Sequence, residues 1–381
     1  MSKQEKKKNN HFVPRSYLVR FRSVSDKQVG LYNLKSGQIV ITAPIKSQCS
    51  RDYFYSKNPV FENGFAEIEG LHKELLTRIV DETYVPQVGS RDHHTLMALI
   101  MFQAGRTATT AAHQDHLAEQ FGKAILRKNF EMKGDERMLR FLDRVNISLP
   151  GGVLDAIGQH LAMYPLLGDL DVTLFENRSK EDFLTSDHPV ALCNSLPERS
   201  SPFGANVGFA SRGLLVLLPL SPHRLILLSD PEVYKVAKDR RHVVMVTDVR
   251  DAVELNLAQC FNAHENLYFA SEVRVGESLA SFKRRRQVLR PGAASVTELP
   301  AFTPDGRTGV MLAMPAPDRR MVLPRAVQIR RAARTGKYAL GDSFIRDPIR
   351  TAVVEAELDR IQNLREQATA AAESKKASAS D

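Results

Sequence analysis

The chain has 381 residues, 43% of them hydrophobic and 25% charged, with three cysteines and no tryptophan. Wholesale disorder is excluded, and the length exceeds the roughly 250–300 residues at which a single core stops growing. The formal charge of +9 is concentrated in two places, a surplus of six cations over residues 1–25 and of ten over 281–340, so the remainder is mildly acidic.

Residues 1–10 predict a lysine-rich arm without fixed structure. In the segment HFVPRSYLVRF, Pro14 is placed to open a helix that carries Tyr17, Leu18 and Phe21 on one face. Residues 29–42 alternate on either side of Lys35-Ser36-Gly37, which predicts a β-hairpin. Helices are expected over 61–81, 92–106, about 111–130, 138–145 and from Gly152 to about Leu161. The character changes near Asp171. VTLFEN, DFLTSD, VALCN, GLLVLLPL and RLILLS read as strands of a mainly antiparallel sheet, followed by a helix over 254–264 and the short strand LYFAS. Beyond Pro291, prolines and arginines predict a linker, and residues 348–373 a solvated helix. The expected fold class is α+β, a mainly helical N-terminal half packed on a mainly antiparallel sheet from the second half, plus a basic C-terminal extension. The expected divisions are a basic arm (1–10), a main domain (11–290), a linker or extension (291–347), and a terminal helix with its tail (348–381). Residues after 291 lack long apolar periodic runs, so the main domain is expected to fold without them.

Three short segments carry polar groups suited to chemistry. His11 precedes the proline-started helix and reads either as a packing residue or as a general base or metal ligand. Gln103 and Arg106 lie one turn apart at the end of an apolar helix, where Arg106 could clamp a phosphate or carboxylate or simply complement the helix end. Ser186, Asp187 and His188 follow a strand and precede Pro189. Asp187 could orient a histidine, hold a metal, or only accept backbone amides in a turn. Glu69 and Lys73 read as a surface pair at i,i+4. His113 and His116 have a metal-compatible spacing but no third ligand in reach. Phosphate-loop, dinucleotide, nucleophile-elbow and HExxH signatures are absent. Few, scattered cysteines fit a reducing cytoplasm, and no apolar run is long enough to span a bilayer.

HFVPRSYLVRF, FQAGR, FLTSDHPVALCN and LLPLSPHRLILL, in this order, resemble a mainly bacterial family, the domain-of-unknown-function family four-two-three-eight. VELNLAQCFNAHENLYFAS resembles its closing segment, so the resemblance spans roughly residues 10–271. The family often has two histidines where this chain has Asn10-His11. The resemblance implies domain limits and site candidates but no reaction.

Two functional readings stay open. One is a hydrolase of a phosphate-containing or nucleic-acid substrate. Its catalytic groups would be His11 as base or ligand, Asp187 as its orienter or a ligand for a divalent metal, and Arg106 as the stabiliser of negative charge, with Gln103, Ser186 and His188 holding substrate. The other is a non-catalytic protein gripping nucleic acid or another polyanion through its basic ends, with Lys283, Arg284, Arg285 and Arg286 as the densest run. Convergence of His11, Arg106 and Asp187 in one cleft would favour the first.

Overall fold

Capping hydroxyls and apolar periodicity fix the helices, and aliphatic runs fix the strands between them. The computed structural model describes residues 9–55, 59–142, 144–147, 152–196, 207–288, 297–302, 308–313, 320–334 and 345–377. Most of the basic arm therefore lies outside the described residues. The N-terminal half contains β1 (Asn9–His11), α1 (Arg15–Leu18), β2 (Gln28–Asn33), β3 (Ile39–Pro44), β4 (Ser50–Asp52), α2 (Pro59–Asp81), α3 (Arg91–Gly105), α4 (Ala108–Lys133), α5 (Glu136–Leu142) and α6 (Gly152–Ala162). Next come β5 (Asp171–Asn177), β6 (Thr185–Ser186), β7 (Ala191–Asn194), β8 (Leu214–Ser221), β9 (Arg224–Ser229), β10 (Tyr234–Val236) and β11 (Val243–Val246). They are followed by α7 (Val249–Asn262), β12 (Asn266–Phe269) and α8 (Gly276–Val288). The extension adds β13 (Thr297–Phe302), β14 (Thr308–Ala313), β15 (Val327–Ile329), α9 (Arg331–Arg334) and α10 (Pro348–Ala377).

The fold is α+β, as the sequence predicts. The main sheet has the order β11-β5-β9-β8-β7 and is antiparallel except for the β11–β5 pair. β8 and β9 are covered on both faces. Leu214, Val216, Leu218 and Leu220 join Ile226 and Leu228 against α1, α2 and α3. Leu215, Leu217, Leu225 and Leu227 face the opposite way, against α7 and the extension. This two-residue alternation between apolar layers explains why the strands read as unbroken aliphatic runs.

A second sheet, β3-β2-β12-β6, joins the predicted hairpin to strands more than 150 residues away. The Tyr17 hydroxyl on α1 lies 2.9 Å from Thr185 Oγ1 and donates to the carbonyl of Pro219. The N-terminal motif is thus seated on the later strands.

The extension also packs on this body. β15 pairs with β10, and Val327 and Ala333 enter the layer beneath α7. Arg346, almost fully buried, donates to both Asp169 oxygens and to the carbonyls of Leu166, Phe209 and Ser211. Thr351 and Val354 of α10 are buried as well. The main domain, expected to fold without residues after 291, is thus in contact with them through β15, Arg346 and α10. Apolar periodicity gives no sign of these contacts, because the anchoring comes from single residues and one three-residue strand.

Candidate functional site

The FQAGR segment ends α3 at a close crossing with α6. A Cβ on Gly105 would lie 2.9 Å from the His160 Cβ and 3.1 Å from the Ala156 carbonyl oxygen. α4 then starts behind Thr107, whose hydroxyl accepts from the amide of Thr110. Between the two helices sits Arg106, 1% exposed. Its Nε donates to the Tyr55 hydroxyl at 2.8 Å, its Nη2 donates to the His11 carbonyl at 2.7 Å, and its Nη1 lies 2.7 Å from Glu69 Oε1. The guanidinium carbon is 4.7 Å from the centroid of the Phe102 ring. Burial opposes its charge, but Tyr55 and Glu69 outweigh that effect and hold Arg106 as a cation.

One turn earlier, Gln103 Nε2 donates to the Phe12 carbonyl at 3.1 Å. Two successive carbonyls, of His11 at the end of β1 and of Phe12 after it, are therefore held by the end of α3. The His11 ring turns away from this contact. Its Nε2 donates to the Lys46 carbonyl at 3.2 Å, and burial pushes its pKa down, with Arg15 and Arg106 adding to the effect.

The Thr-Ser-Asp-His segment serves other partners. Asp187 accepts the amides of His264, Glu265 and Asn266 at 2.9, 2.7 and 3.1 Å, which closes the turn between α7 and β12. Burial pushes its carboxyl up, against the pull of those amides. Ser186 Oγ donates to Gln259 on α7 and accepts from the His188 amide. His188 Nδ1 lies 2.7 Å from the Thr107 hydroxyl, next to Arg106 in sequence. The structure thus brings Arg106 into contact with His11 and Gln103 with the adjoining Phe12, and ties His188 to the same helix corner. Asp187 and Ser186 are bound elsewhere, to the α7–β12 turn and to α7.

A narrow cleft of about 480 Å³, its open mouth included, lies over this corner between α1, α2, α3 and the tip of β8. Gln103 and Arg106 line it, whereas His11, Ser186, Asp187 and His188 do not. Arg20, Glu69, His72 and Lys73 are its other charged or titratable groups near Arg106, with Leu76, Leu99, Phe102 and Leu218 as apolar wall. Glu69 turns to Arg106 rather than to Lys73, which corrects the surface pair expected from their spacing. His72 stacks edge-on to Phe102 with centroids 5.8 Å apart, and its side chain makes no hydrogen bond among the described residues. Burial and the nearby Arg106 push its pKa down to about 4. In the sequence, the only sign of His72 is its i+3 spacing from Glu69, which puts both on one face of α2.

Residues 9–272 match the model of a family described as "Protein of unknown function (DUF4238)". The chain belongs to this family. No curated protein and no solved structure matches it. The DUF4238 region takes in both sheets, the FQAGR corner and the cleft above it, and ends before α8.

The basic run lies on α8, past the matched region. Arg285 pairs bidentately with Glu254 at 2.9 and 2.5 Å, and Arg286 donates to the Leu34 carbonyl at 2.7 Å. Lys283 sits 5.2 Å from the centroid of the Tyr32 ring. Lys283, Arg284 and Arg286 are exposed. Among the described residues no three His, Cys, Asp or Glu side chains come together as a metal site, and no helix is long and apolar enough to cross a membrane.

Proposed function

We propose that this DUF4238 protein recognises a small anionic group, a phosphate or a carboxylate, in the cleft above Arg106. The carrying observation is how the charges there are distributed. Glu69 is committed to Arg106, so Arg20 and Lys73 are the cations left to face the cleft, beside an unbonded neutral imidazole at His72. Arg20 is held in place by a 3.1 Å bond to Thr77. Apolar walls lower the local dielectric and strengthen attraction to an anion. Titration calorimetry with phosphate monoesters and dicarboxylates tests the reading. Saturable binding should weaken about tenfold, or about 1.4 kcal/mol, in Lys73→Gln. No heat from either class at millimolar ligand contradicts the reading.

Hydrolysis of a phosphate ester is a second reading, and the observation favouring it is His72, an unbonded imidazole beside two cations. The same burial makes His72 a weak base, because proton transfer is most efficient when the pKa lies near the working pH. A hydrolase built on His11, Arg106 and Asp187 has less support, since each is committed to local partners. Binding of nucleic acid through residues 283–286 rests on Lys283 and Arg284, the two whose charges are least engaged. A cytoplasmic location is proposed from the three buried free thiols.

A further inference from the structure

A second concavity, wider than the first, opens at the far end of α2. It encloses about 1000 Å³, open solvent included, and is lined by Arg178, Lys180, His223, Arg224 and Arg274 together with Asn177, Ser179, Ser221 and Val80. No expectation from the sequence pointed to it, because its cations come from four separate segments: the loop after β5, the β8–β9 turn, the start of β9, and the turn before α8.

The cations are arranged in advance. Asn177 Oδ1 accepts the Ser179 amide at 3.0 Å and its hydroxyl at 2.8 Å, and Nδ2 donates to the Glu181 carbonyl at 2.6 Å, which fixes the loop carrying Arg178 and Lys180. Arg224 is held by Glu176 at 3.0 Å and by Thr83 at 3.3 Å. Arg274 is held by Asp182 at 2.6 Å and by the Ser179 carbonyl at 3.1 Å. Arg178 rests on the other oxygen of Glu176. Lys180 is exposed and makes no ion pair among the described residues.

Four permanent cations meet three carboxylates here, Glu176, Glu181 and Asp182, so formal charge alone decides little. Depth decides more. The Glu176 and Asp182 side chains are 7% and 5% exposed and Glu181 is buried, whereas Arg178 and Arg274 are 65% and 42% exposed. Glu176 and Asp182 orient the guanidinium groups from below, Glu181 accepts the Ser278 amide, and the solvent-facing layer is positive. Forked guanidinium groups with fixed orientation suit phosphate oxygens.

We propose that this depression is a binding site for a multiply charged phosphate group, of the kind carried by a nucleoside polyphosphate or a nucleic-acid backbone. It is independent of the Arg106 cleft and of the α8 run. The test uses the full chain, with fluorescence anisotropy of a labelled short single-stranded DNA and competition by inorganic tripolyphosphate. Arg178→Gln/Lys180→Gln should weaken binding about tenfold and reduce the slope of log affinity against log salt by up to about 1.4, given about 0.7 per single-strand phosphate contact. Both residues are exposed, so the thermal melt should stay unchanged, and Lys180→Glu alone should reproduce the loss if the double variant melts early. Lys283→Gln/Arg284→Gln removes the same charge from α8 and should leave binding intact. Stronger competition by tripolyphosphate than by unlabelled strand identifies a polyphosphate ligand, and the reverse a nucleic acid; either supports the site. Wild-type affinity in the Arg178/Lys180 variant, loss in the α8 variant alone, or no binding of either probe at low salt overturns it.

Discussion

Arg106, expected either to clamp an anion or to complement its helix end, is bound on three sides within the fold. A buried arginine at a helix end suggests an anion clamp, and the sequence offers no sign that three of its faces are already taken. Tyr55, Glu69 and the His11 carbonyl take them. Lysine has no fork to reach all three, so Arg106→Lys should cost about 3 kcal/mol or more, with the β1 segment released first. Urea unfolding measures this; an unchanged midpoint would mean the guanidinium is not a structural bolt. Asp187→Asn should cost about 1.5–3 kcal/mol, because one carboxylate serves three amides. Unaltered stability with lost function would return Asp187 to chemistry.

The histidines make a signed prediction at the same scale. Burial lowers the pKa of His11, His72, His93 and His160 below the ordinary 6.5. The unfolded chain then binds protons that the native chain refuses, so their contribution is full above pH 6.5 and is lost as pH falls toward about 4 at His72. Asp187 and Glu181, pushed up by burial, work in the opposite direction within the acid range. The difference between wild type and His72→Gln isolates one group. The wild-type urea midpoint should fall more steeply than that of the variant as pH drops from 6.5 to 4; parallel curves would contradict a neutral buried His72.

At the scale of elements, the helices over 59–81, 91–105 and 152–162 and the strands β5, β7, β8 and β9 of the main sheet were legible, because their apolar runs are long. The β10–β15 pair and the parallel edge β11 were not, and of the strand expected over DFLTSD only the two residues of β6 form. Three or four residues hold too few periods to register, and their pairing is chosen by distant chain. Gly105 was visible only as a letter in a motif; its reason is the α3–α6 crossing. Gly105→Ala should cost about 1–3 kcal/mol through overpacking against His160 and the α6 backbone. The extension follows the same logic. A chain ending near residue 290 loses the β15 strand and the Arg346 anchor and should melt several degrees lower, with calorimetry as the measure. An identical melt would show that these contacts add nothing.

At the scale of the whole molecule, the charge asymmetry was legible, but not the places where charge is available. On α8, Glu254 and a backbone carbonyl engage two of four cations, while scattered arginines assemble at the mouth of a depression and Lys73 and Arg20 face a cleft. Tertiary structure decides which cations have buried acids beneath them and which have acids beside them, and no linear count carries that information. Arg106, Gln103, Ser186 and Asp187 of the DUF4238 motifs are hydrogen-bonded within the fold, and the anion site proposed above them is faced by His72 and Lys73 of α2 and by Arg20. An NMR pH titration of the His72 ring, with and without saturating phosphate monoester or dicarboxylate, tests this most directly. The free ring should titrate near 4 and its value should rise when the anion binds, because a nearby negative charge favours the imidazolium, while His160 stays unmoved. A His72 ring that titrates near 6.5 in the free protein, or that ignores both anions, would contradict it.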